Sequence, residues 1–193
     1  MYTHKKGDDM ALTSSNMLPL GTIAPSFCLP DAVSGDLKSI DSVKSSTATV
    51  IMFICNHCPF VKHVQLELVK LANDYQPKEV SFVAISSNDI IEYPEDAPQK
   101  MKEVAKTLNY SFPYLYDGTQ EVAKAYQAAC TPDFFIFDKN LKCVYRGQLD
   151  DSRPGNNIPV TGKDIRAALD NLLNNMSIDQ DQKPSIGCNI KWK

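Results

Sequence analysis

The feature that most restricts the fold of this chain is a short apolar run that ends directly at two cysteines. Residues 50–54 are all apolar, which is typical of a strand buried on both faces of a sheet. The sequence Cys-Asn-His-Cys follows at 55–58, and apolar residues then recur at helical spacing over 61–75. Pro59 suits the first turn of such a helix, where its missing N–H costs nothing. The pattern predicts a buried strand, a pair of thiols and a helix in direct succession.

The remaining periodicities predict an alternation of strands and helices. They indicate a hairpin over 27–37, a strand over 80–86, helices over 98–108, 122–129 and 161–173, and a hairpin over 134–146 before the last helix. Asp96 and Pro98 are expected to start the first of these helices. Thr161 and Asp164 have capping-box spacing at the start of the last one. Elements that alternate in this way form α/β layers around a partly parallel sheet.

The length of 193 residues and the hydrophobic content of 43% favour one globular domain with an ordinary core. We expect this domain to span 18–176, between a flexible N-terminal tail at 1–17 and a C-terminal tail at 177–193. The longest apolar stretch, 49–55, is far shorter than the roughly 20 residues of a membrane-spanning helix. The net charge of −3 argues against a broad surface for nucleic acid or anionic membranes, so neither is expected as a partner.

The N-terminal residues are polar and include no apolar segment typical of a secretory signal, so the cytoplasm is the expected compartment. In a reducing cytosol the six cysteines are expected to be thiols, redox centres or metal ligands. A static disulfide framework is therefore not expected.

Two cysteines at the start of a helix suit redox chemistry. Unpaired N–H groups and the helix dipole stabilise an anion, so the pKa of a thiol there is expected to be lowered. A second thiol one helical turn away can then resolve a mixed disulfide. His57, between the two, either stabilises the thiolate as a cation or is a solvent-exposed bystander.

A metal site is the main competing interpretation of the cysteine pair. A zinc knuckle needs a second Cys/His pair at similar spacing, and the remaining cysteines and histidines occur singly. We therefore expect no metal and no other cofactor. Copper or zinc held by Cys55, Cys58 and either His57 or His63 remains an alternative.

Several motifs together resemble the thioredoxin superfamily. The cysteine pair follows a buried strand, and Thr131-Pro132 precedes an apolar strand at 133–138. The sequence Leu-Gly-Thr-Ile-Ala-Pro-Ser-Phe at 20–27 resembles the start of the alkyl hydroperoxide reductase/thiol-specific antioxidant branch. The sequence Pro-Ser-Ile-Gly-Cys-Asn-Ile-Lys-Trp at 184–192 resembles peroxiredoxin-like and thioredoxin-like members of that branch. The resemblance implies a thioredoxin fold: a central mixed sheet flanked by helices, with an N-terminal β-hairpin extension and a C-terminal tail.

The resemblance also assigns roles to residues. It implies that Cys55 is the attacking thiol, that Cys58 is the resolving thiol, and that Pro132 is a cis-proline facing them. Thr131 would offer its backbone to an extended substrate as an added strand. The implied partners are a disulfide-containing protein or a small-molecule thiol or peroxide, together with a cellular thiol reductant. Thiol–disulfide oxidoreductase is the leading prediction, and a thiol peroxidase with Cys55 as the peroxidatic thiol is the alternative.

One departure from the family pattern weakens the peroxidase alternative. A typical peroxiredoxin places Thr or Ser three residues before its peroxidatic cysteine, whereas Met52 holds that position before Cys55. No hydroxyl is therefore in sequence register to orient a peroxide. Arg153 or Arg146 could still polarise a peroxide or a thiolate, and a structural ion pair is the other interpretation of both.

The cysteines outside the pair have two kinds of interpretation. Cys130 precedes Thr131 and is either a small buried residue or a third redox thiol. Cys188 follows the last helix on a tail whose length spans on the order of 20 Å as a flexible chain. It is therefore either a resolving or relay thiol or an inert anchor. Cys28 and Cys143 alternate with core residues and are expected to be structural.

Overall fold

The computed structural model describes residues 12–193. In chain order its elements are β1 Leu12–Ser14, β2 Cys28–Pro30, β3 Leu37–Ser39, α1 Ile40–Val43, β4 Ala48–Phe53, α2 Pro59–Tyr75, β5 Val80–Ser86, α3 Pro98–Thr107, β6 Tyr114–Tyr116, α4 Glu121–Ala125, β7 Cys130–Thr131, β8 Asp133–Asp138, β9 Cys143–Gly147, α5 Lys163–Leu173 and β10 Ile186–Asn189. Among these residues, no helix is both long and apolar enough to cross a bilayer.

The central sheet has five strands in the order β6-β5-β4-β8-β9. Its middle strand, β4, runs parallel to β5 and antiparallel to β8. All six residues of β4 are buried, as the apolar run predicted. The α/β architecture with a central mixed sheet is therefore confirmed.

The two faces of the sheet are covered by different elements because successive side chains of a strand point to opposite sides. Val50 and Met52 of β4 pack into one core, which α2, α3 and α5 cover. Ile51 and Phe53 pack into the other core, which includes residues of α4 and the segment around the β2–β3 hairpin. The carboxyl end of β4 is thus held between two packed layers, and the cysteine pair follows it.

The structure differs from the prediction in two local features. Strand β6 was not predicted, because three residues are too few to give a periodic signal. The capping box at the start of α5 does not form, since the N-cap is Gly162, at φ +67°, and it has no side-chain cap. The Asp164 carboxylate instead accepts a hydrogen bond of 2.7 Å from Gln148 Nε2. The backbone N–H of Thr161 donates to Asp150.

The two terminal segments also differ from the predicted tails. Strand β10 lies between β1 and β7 in a three-stranded antiparallel sheet. Residues 12–14 and 186–189 are therefore ordered strands, because they pair with each other and 186–189 also pairs with β7. Residues 1–11 of the expected N-terminal tail lie outside the described part of the chain.

A buried carboxyl group, Asp133, joins this small sheet to the central one. Ser15 Oγ donates a hydrogen bond of 3.0 Å to Asp133 Oδ2. Burial raises the pKa of Asp133 to about 7, although hydrogen bonds from Ser15 and Ser185 act in the opposite direction. The folded protein thus holds a proton on Asp133 that the unfolded chain releases at lower pH.

The raised pKa of Asp133 predicts that the stability of the protein depends on pH. The folded-state pKa of Asp133 lies above the ordinary value of 3.8, so its contribution to stability is lost as the pH rises from about 4 to about 7. An Asp133→Asn variant has no such loss. Relative to wild type, its free energy of unfolding is expected to improve by at least about 1 kcal/mol between about pH 4 and about pH 8. Urea denaturation of both proteins at the two pH values measures the change, and a constant difference would contradict it.

Candidate active site

The cysteine pair lies in the short connection between β4 and α2. Cys55 follows the strand, and Cys58 is the N-cap residue of the helix, which has Pro59 in its first turn as predicted. The exposed fractions of Cys55 and Cys58 are 2% and 0%. Both thiols are therefore inside the protein, at the carboxyl end of the central strand.

The predicted loop around Pro132 faces the pair, and the Thr131–Pro132 peptide bond is cis. Cys55 Sγ lies 3.3 Å from Thr131 Oγ1, and Cys58 Sγ lies 3.3 Å from the carbonyl oxygen of Thr131. One threonine thus contacts both sulfurs, the first through its hydroxyl and the second through its carbonyl group.

A third sulfur completes the group. Cys188 Sγ of β10 lies 2.9 Å from Cys58 Sγ. We call Cys55, Cys58 and Cys188 the three-thiol cluster. Cys188 is opposite Thr131 in the β10–β7 register, so both side chains point to the same face, toward the cysteine pair.

Cys130 is on the other face of β7, because neighbouring residues of a strand alternate. Its thiol donates toward the Pro132 carbonyl oxygen over 3.7 Å, and burial raises its pKa. Cys130 is therefore next to Thr131 in the chain, but its hydrogen bond is to the backbone rather than to another sulfur.

The contacts of the cluster favour the anionic form of Cys58. Hydrogen bonds from the thiols of Cys188 and Cys55 lower the pKa of Cys58, and the backbone N–H of Val61 acts in the same direction. Burial, the contact with Cys58 and the negative charge of Asp96 raise the pKa of Cys55. The contact with the Cys58 sulfur also raises the pKa of Cys188. These directions favour Cys58 as the thiolate of the cluster, with the other two thiols as its donors.

The lowered pKa expected of a thiol at the helix start is that of Cys58, whereas the pKa of Cys55 is raised. The helix begins at Pro59, so its free N–H groups face Cys58, which is the cap residue. Cys55 lies three positions earlier, with the Asp96 charge nearby.

His57 is neither a bystander in solvent nor a direct partner of a sulfur. Its side chain is 16% exposed, and its Nδ1 lies 2.6 Å from Asp96 Oδ2. The ring stacks on Tyr93 at a centroid distance of 4.9 Å. Its Nε2 is buried without a hydrogen-bond partner in the part of the chain that the structure describes.

Asp96 is a site residue that sequence reasoning missed. It was predicted to start α3, but the N-cap of that helix is Ala97. Asp96 ends a 3₁₀ turn, and its fully buried carboxylate accepts hydrogen bonds from the backbone N–H groups of Asn56 and His57 and from Asn88 Nδ2. Nothing local in the sequence signals this role, because its partners lie up to 40 positions away.

Removal of the Asp96 charge is expected to change the reactivity of the Cys55 thiol. Because this charge raises the pKa of Cys55, Asp96→Asn is expected to lower that pKa. The pH profile of Cys55 alkylation should move to lower pH. Glu95→Gln is the matched control, since Glu95 is the exposed neighbouring carboxylate. An unchanged midpoint in Asp96→Asn would contradict the assignment.

The remaining predicted residues lie away from the sulfurs. The guanidinium of Arg153 donates to the carbonyl groups of Asp150 and Ser152 and to Gln148 Oε1, so its contacts stabilise its own loop. The guanidinium of Arg146 likewise donates to the Leu18 carbonyl group and to Gln182 Oε1. Neither arginine hydrogen-bonds to a sulfur of the cluster.

The two cysteines that were expected to be structural differ from each other. Cys143 is buried, with its thiol directed to the Tyr145 carbonyl oxygen. Cys28 is exposed and alternates with the buried residues Phe27 and Leu29, which is the alternation expected from the sequence. It is the first residue of β2 in the two-stranded β2–β3 hairpin, and only the middle residue of that strand is buried.

A set of potential metal ligands differs from the predicted one. Cys55, His57 and Asp96 each offer one ligand atom, and these atoms lie within 4.8 Å of one another. The Asp96 carboxylate already accepts hydrogen bonds from backbone and side-chain N–H groups. A cation would have to replace these donors, so the arrangement fits a proton-sharing pair better than a ligand set.

A family model described as the AhpC/TSA family matches residues 20–146. The chain belongs to the AhpC/TSA family. This confirms the resemblance to the alkyl hydroperoxide reductase/thiol-specific antioxidant branch, and it supports a thiol redox function. No match was found among curated proteins.

Solved structures extend the similarity of this AhpC/TSA protein to nearly its whole length. An uncharacterized conserved protein from Geobacillus kaustophilus is 68% identical, with a TM-score of 0.94 over 95% of this chain and 97% of that chain. A hypothetical protein from Sinorhizobium meliloti is 49% identical, with a TM-score of 0.91 over 94% and 98% of the two chains. The thioredoxin domain of a thiol-disulfide oxidoreductase from Bacteroides vulgatus is 17% identical, with a TM-score of 0.58 over 70% and 90%. The last similarity confirms the thioredoxin fold.

Proposed function

We propose that this chain is a thiol–disulfide oxidoreductase in which Cys55 and Cys58 exchange with a substrate disulfide. The observation that carries the proposal is that both sulfurs, which lie beside the start of α2, contact Thr131 of β7. We propose that one proton moves between the two sulfurs. Family membership supports the wider class of thiol-based oxidoreductases and peroxidases.

Two different sets of groups stabilise the two positions of this proton. When the charge is on Cys58, the thiols of Cys55 and Cys188 donate to it. When the proton moves from Cys55 to Cys58, the new Cys58 S–H can donate to the Thr131 carbonyl, 3.3 Å away. The Thr131 hydroxyl, also at 3.3 Å, then donates to the Cys55 thiolate. Cys55 thereby becomes the nucleophile without the protein losing a proton to solvent.

The electrons and protons of the exchange reaction are then accounted for by thiols and disulfides alone. The Cys55 thiolate attacks one sulfur of the substrate disulfide, and the leaving thiolate takes the proton from Cys58. The Cys58 thiolate next attacks the Cys55 sulfur of the mixed disulfide and releases the second substrate thiolate, which is protonated by water. The substrate is reduced by two electrons, and Cys55 and Cys58 are oxidised to a disulfide. We propose that a cellular thiol restores the dithiol.

The test is whether the protein catalyses the reduction of a disulfide substrate. The purified protein is supplied with hydroxyethyl disulfide or insulin as the oxidant and dithiothreitol as the reductant. Reduction above the uncatalysed rate, in proportion to protein concentration, is expected. A rate equal to that of dithiothreitol alone would overturn the proposal.

A thiol peroxidase is the second candidate, and one contact favours it. The hydroxyl that is missing from the position of Met52 is supplied beside Cys55 Sγ by Thr131. A peroxide would oxidise the Cys55 thiolate to a sulfenic acid, with the second peroxide oxygen leaving as water or an alcohol. Trapping of a sulfenic acid after stoichiometric peroxide, with no turnover of disulfides, would favour this candidate.

Metal handling remains the third alternative. Its test is the copper and zinc content of the anaerobically purified protein. A stoichiometric content that is lost in Cys55→Ser would favour a metal site over both redox proposals.

A further inference from the structure

We propose that Cys188 is a third catalytic thiol, which takes over the disulfide from Cys55 and ends each turnover bonded to Cys58. The inference deepens the proposed function and rests on it. Strand β10 then acts as a built-in substrate strand, paired with the edge of β7 that an external substrate was expected to use.

The backbone register aims Cys188 at the pair. Cys188 is opposite Thr131, and Thr131 contacts Cys55 and Cys58 through its hydroxyl and its carbonyl group. The sulfurs of Cys188 and Cys58 are 2.9 Å apart. Cys188 is 2% exposed, so its nearest reaction partner is inside the protein.

The chain on both sides of β10 is fixed, so this contact does not depend on a flexible tail. Before the strand, Ser185 Oγ donates a hydrogen bond of 2.6 Å to the Gly147 carbonyl. After it, the Lys191 N–H donates to Asn88 Oδ1 over 2.8 Å. The Lys191 carbonyl also accepts a hydrogen bond of 2.8 Å from the Asp89 N–H. Cys188 is thus held in place in the same way as a residue of the core.

Gly187 provides a second, independent sign that β10 is built to lie against the Thr131 loop. A Cβ added at Gly187 would overlap the carbonyl oxygen of Thr131. Only glycine therefore permits this closeness of the two backbones. The approach brings the next residue, Cys188, to the sulfur of Cys58.

The proposed step is an exchange within the protein. It starts from the Cys55–Cys58 disulfide that the proposed reaction forms. Cys188 loses its proton and attacks the Cys58 sulfur; the Cys58–Cys188 bond forms and the Cys55–Cys58 bond breaks. The electron pair leaves with the Cys55 sulfur, which takes the proton that Cys188 lost. No further oxidant or reductant is needed.

The electrostatics of the cluster are compatible with this order. In the reduced protein, the contact with the Cys58 sulfur raises the pKa of Cys188. Once Cys58 is part of a disulfide it carries no charge, so this cause is removed. Cys188 becomes easier to deprotonate at the point of the cycle where it has to attack.

Disulfide mapping of the wild-type protein tests the proposal. The reduced protein is treated with one equivalent of oxidised glutathione, alkylated, digested with trypsin and analysed by mass spectrometry. No Lys or Arg lies between Cys55 and Cys58, so a bond between them stays within one peptide, whereas a bond to Cys188 links two peptides. The linked pair is expected in most of the oxidised molecules. A bond confined to 55–58, with Cys188 fully alkylated, would overturn the proposal.

Variants identify the bonded sulfur and separate the two proposals. The linked pair should persist in Cys55→Ser treated with diamide and should be lost in Cys58→Ser, and the reverse result would overturn it. In Cys188→Ser, oxidation should stop at the 55–58 disulfide. If Cys188→Ser and wild type give the same mapping and the same turnover, the role of Cys188 fails and the proposed function stands. If wild type forms no protein disulfide and reduces no substrate, both fail.

The control is Cys143→Ser, which removes a buried thiol outside the cluster. It should leave the mapping and the turnover as in wild type. Because the mapping experiment uses the wild-type chain, poor folding of a variant does not remove the test.

Discussion

Replacement of Cys55 by serine is expected to reduce disulfide turnover by at least about 10³-fold. A serine hydroxyl stays protonated where a thiol ionises, so it supplies neither the nucleophile nor the mixed disulfide. The fold should remain, because the hydroxyl can still hydrogen-bond with Thr131 Oγ1, the present neighbour of Cys55 Sγ at 3.3 Å. Initial rates with hydroxyethyl disulfide measure the first effect, and thermal unfolding measures the second.

Cys58→Ser is the informative partner of this variant. It keeps the proposed nucleophile but removes the base that accepts its proton and the thiol that resolves the mixed disulfide. Turnover should again be lost, and a mixed disulfide between Cys55 and the substrate should accumulate. Cys143→Ser should behave as wild type. Full activity of Cys55→Ser would remove the basis for assigning the nucleophile to that residue.

The second large effect is expected for Gly187→Ala. The added methyl group meets the backbone of Thr131 rather than a movable side chain, so β10 has to shift away from β7. We expect a loss of about 2–4 kcal/mol in the free energy of unfolding. For a chain of this size, this corresponds to a fall in Tm of roughly 5–15 °C. In the folded fraction Cys188 should also become open to alkylation under native conditions.

Gly35→Ala is the matched control for this substitution. Gly35 has a φ of +85°, but a Cβ there meets nothing within 4 Å. Its cost should therefore be only the roughly 1–2 kcal/mol of a left-handed backbone, with no change in Cys188 alkylation. If the two variants were equally stable and Cys188 stayed protected in both, the closeness of β10 to Thr131 would not be essential.

Local periodicity was sufficient to predict the strands and the helix that position the cysteine pair. The strand at 80–86 and the helix start at Pro59 were placed as the structure has them, because a buried strand and an amphipathic helix leave strong local patterns. The family resemblance supplied the Thr131–Pro132 loop, which no spacing indicates. Strand β6 has three residues and gave no such pattern.

Periodicity could not supply the contacts that determine the chemistry. Asp96 looked like the start of a helix, yet its carboxylate lies under Asn56 and His57, about 40 positions earlier in the sequence. Cys188 and Cys58 are 130 positions apart, and their contact follows from strand pairing, which depends on hydrogen bonds that sequence pattern does not encode. For the same reason the sequence located the helix start, but not the S–H donors that lower the pKa of Cys58.

The position of β10 links the redox state of the protein to its resistance to unfolding. A bond from Cys58 to Cys188 would close a loop that spans 130 positions of the chain and includes four of the five strands of the central sheet. A loop of that size restricts the unfolded ensemble by roughly 4–5 kcal/mol, whereas the short 55–58 loop restricts it far less. The oxidised protein would then be the durable form and the reduced protein the form that opens more readily. The supply of reductant would then determine both the turnover rate and the resistance of the protein to unfolding.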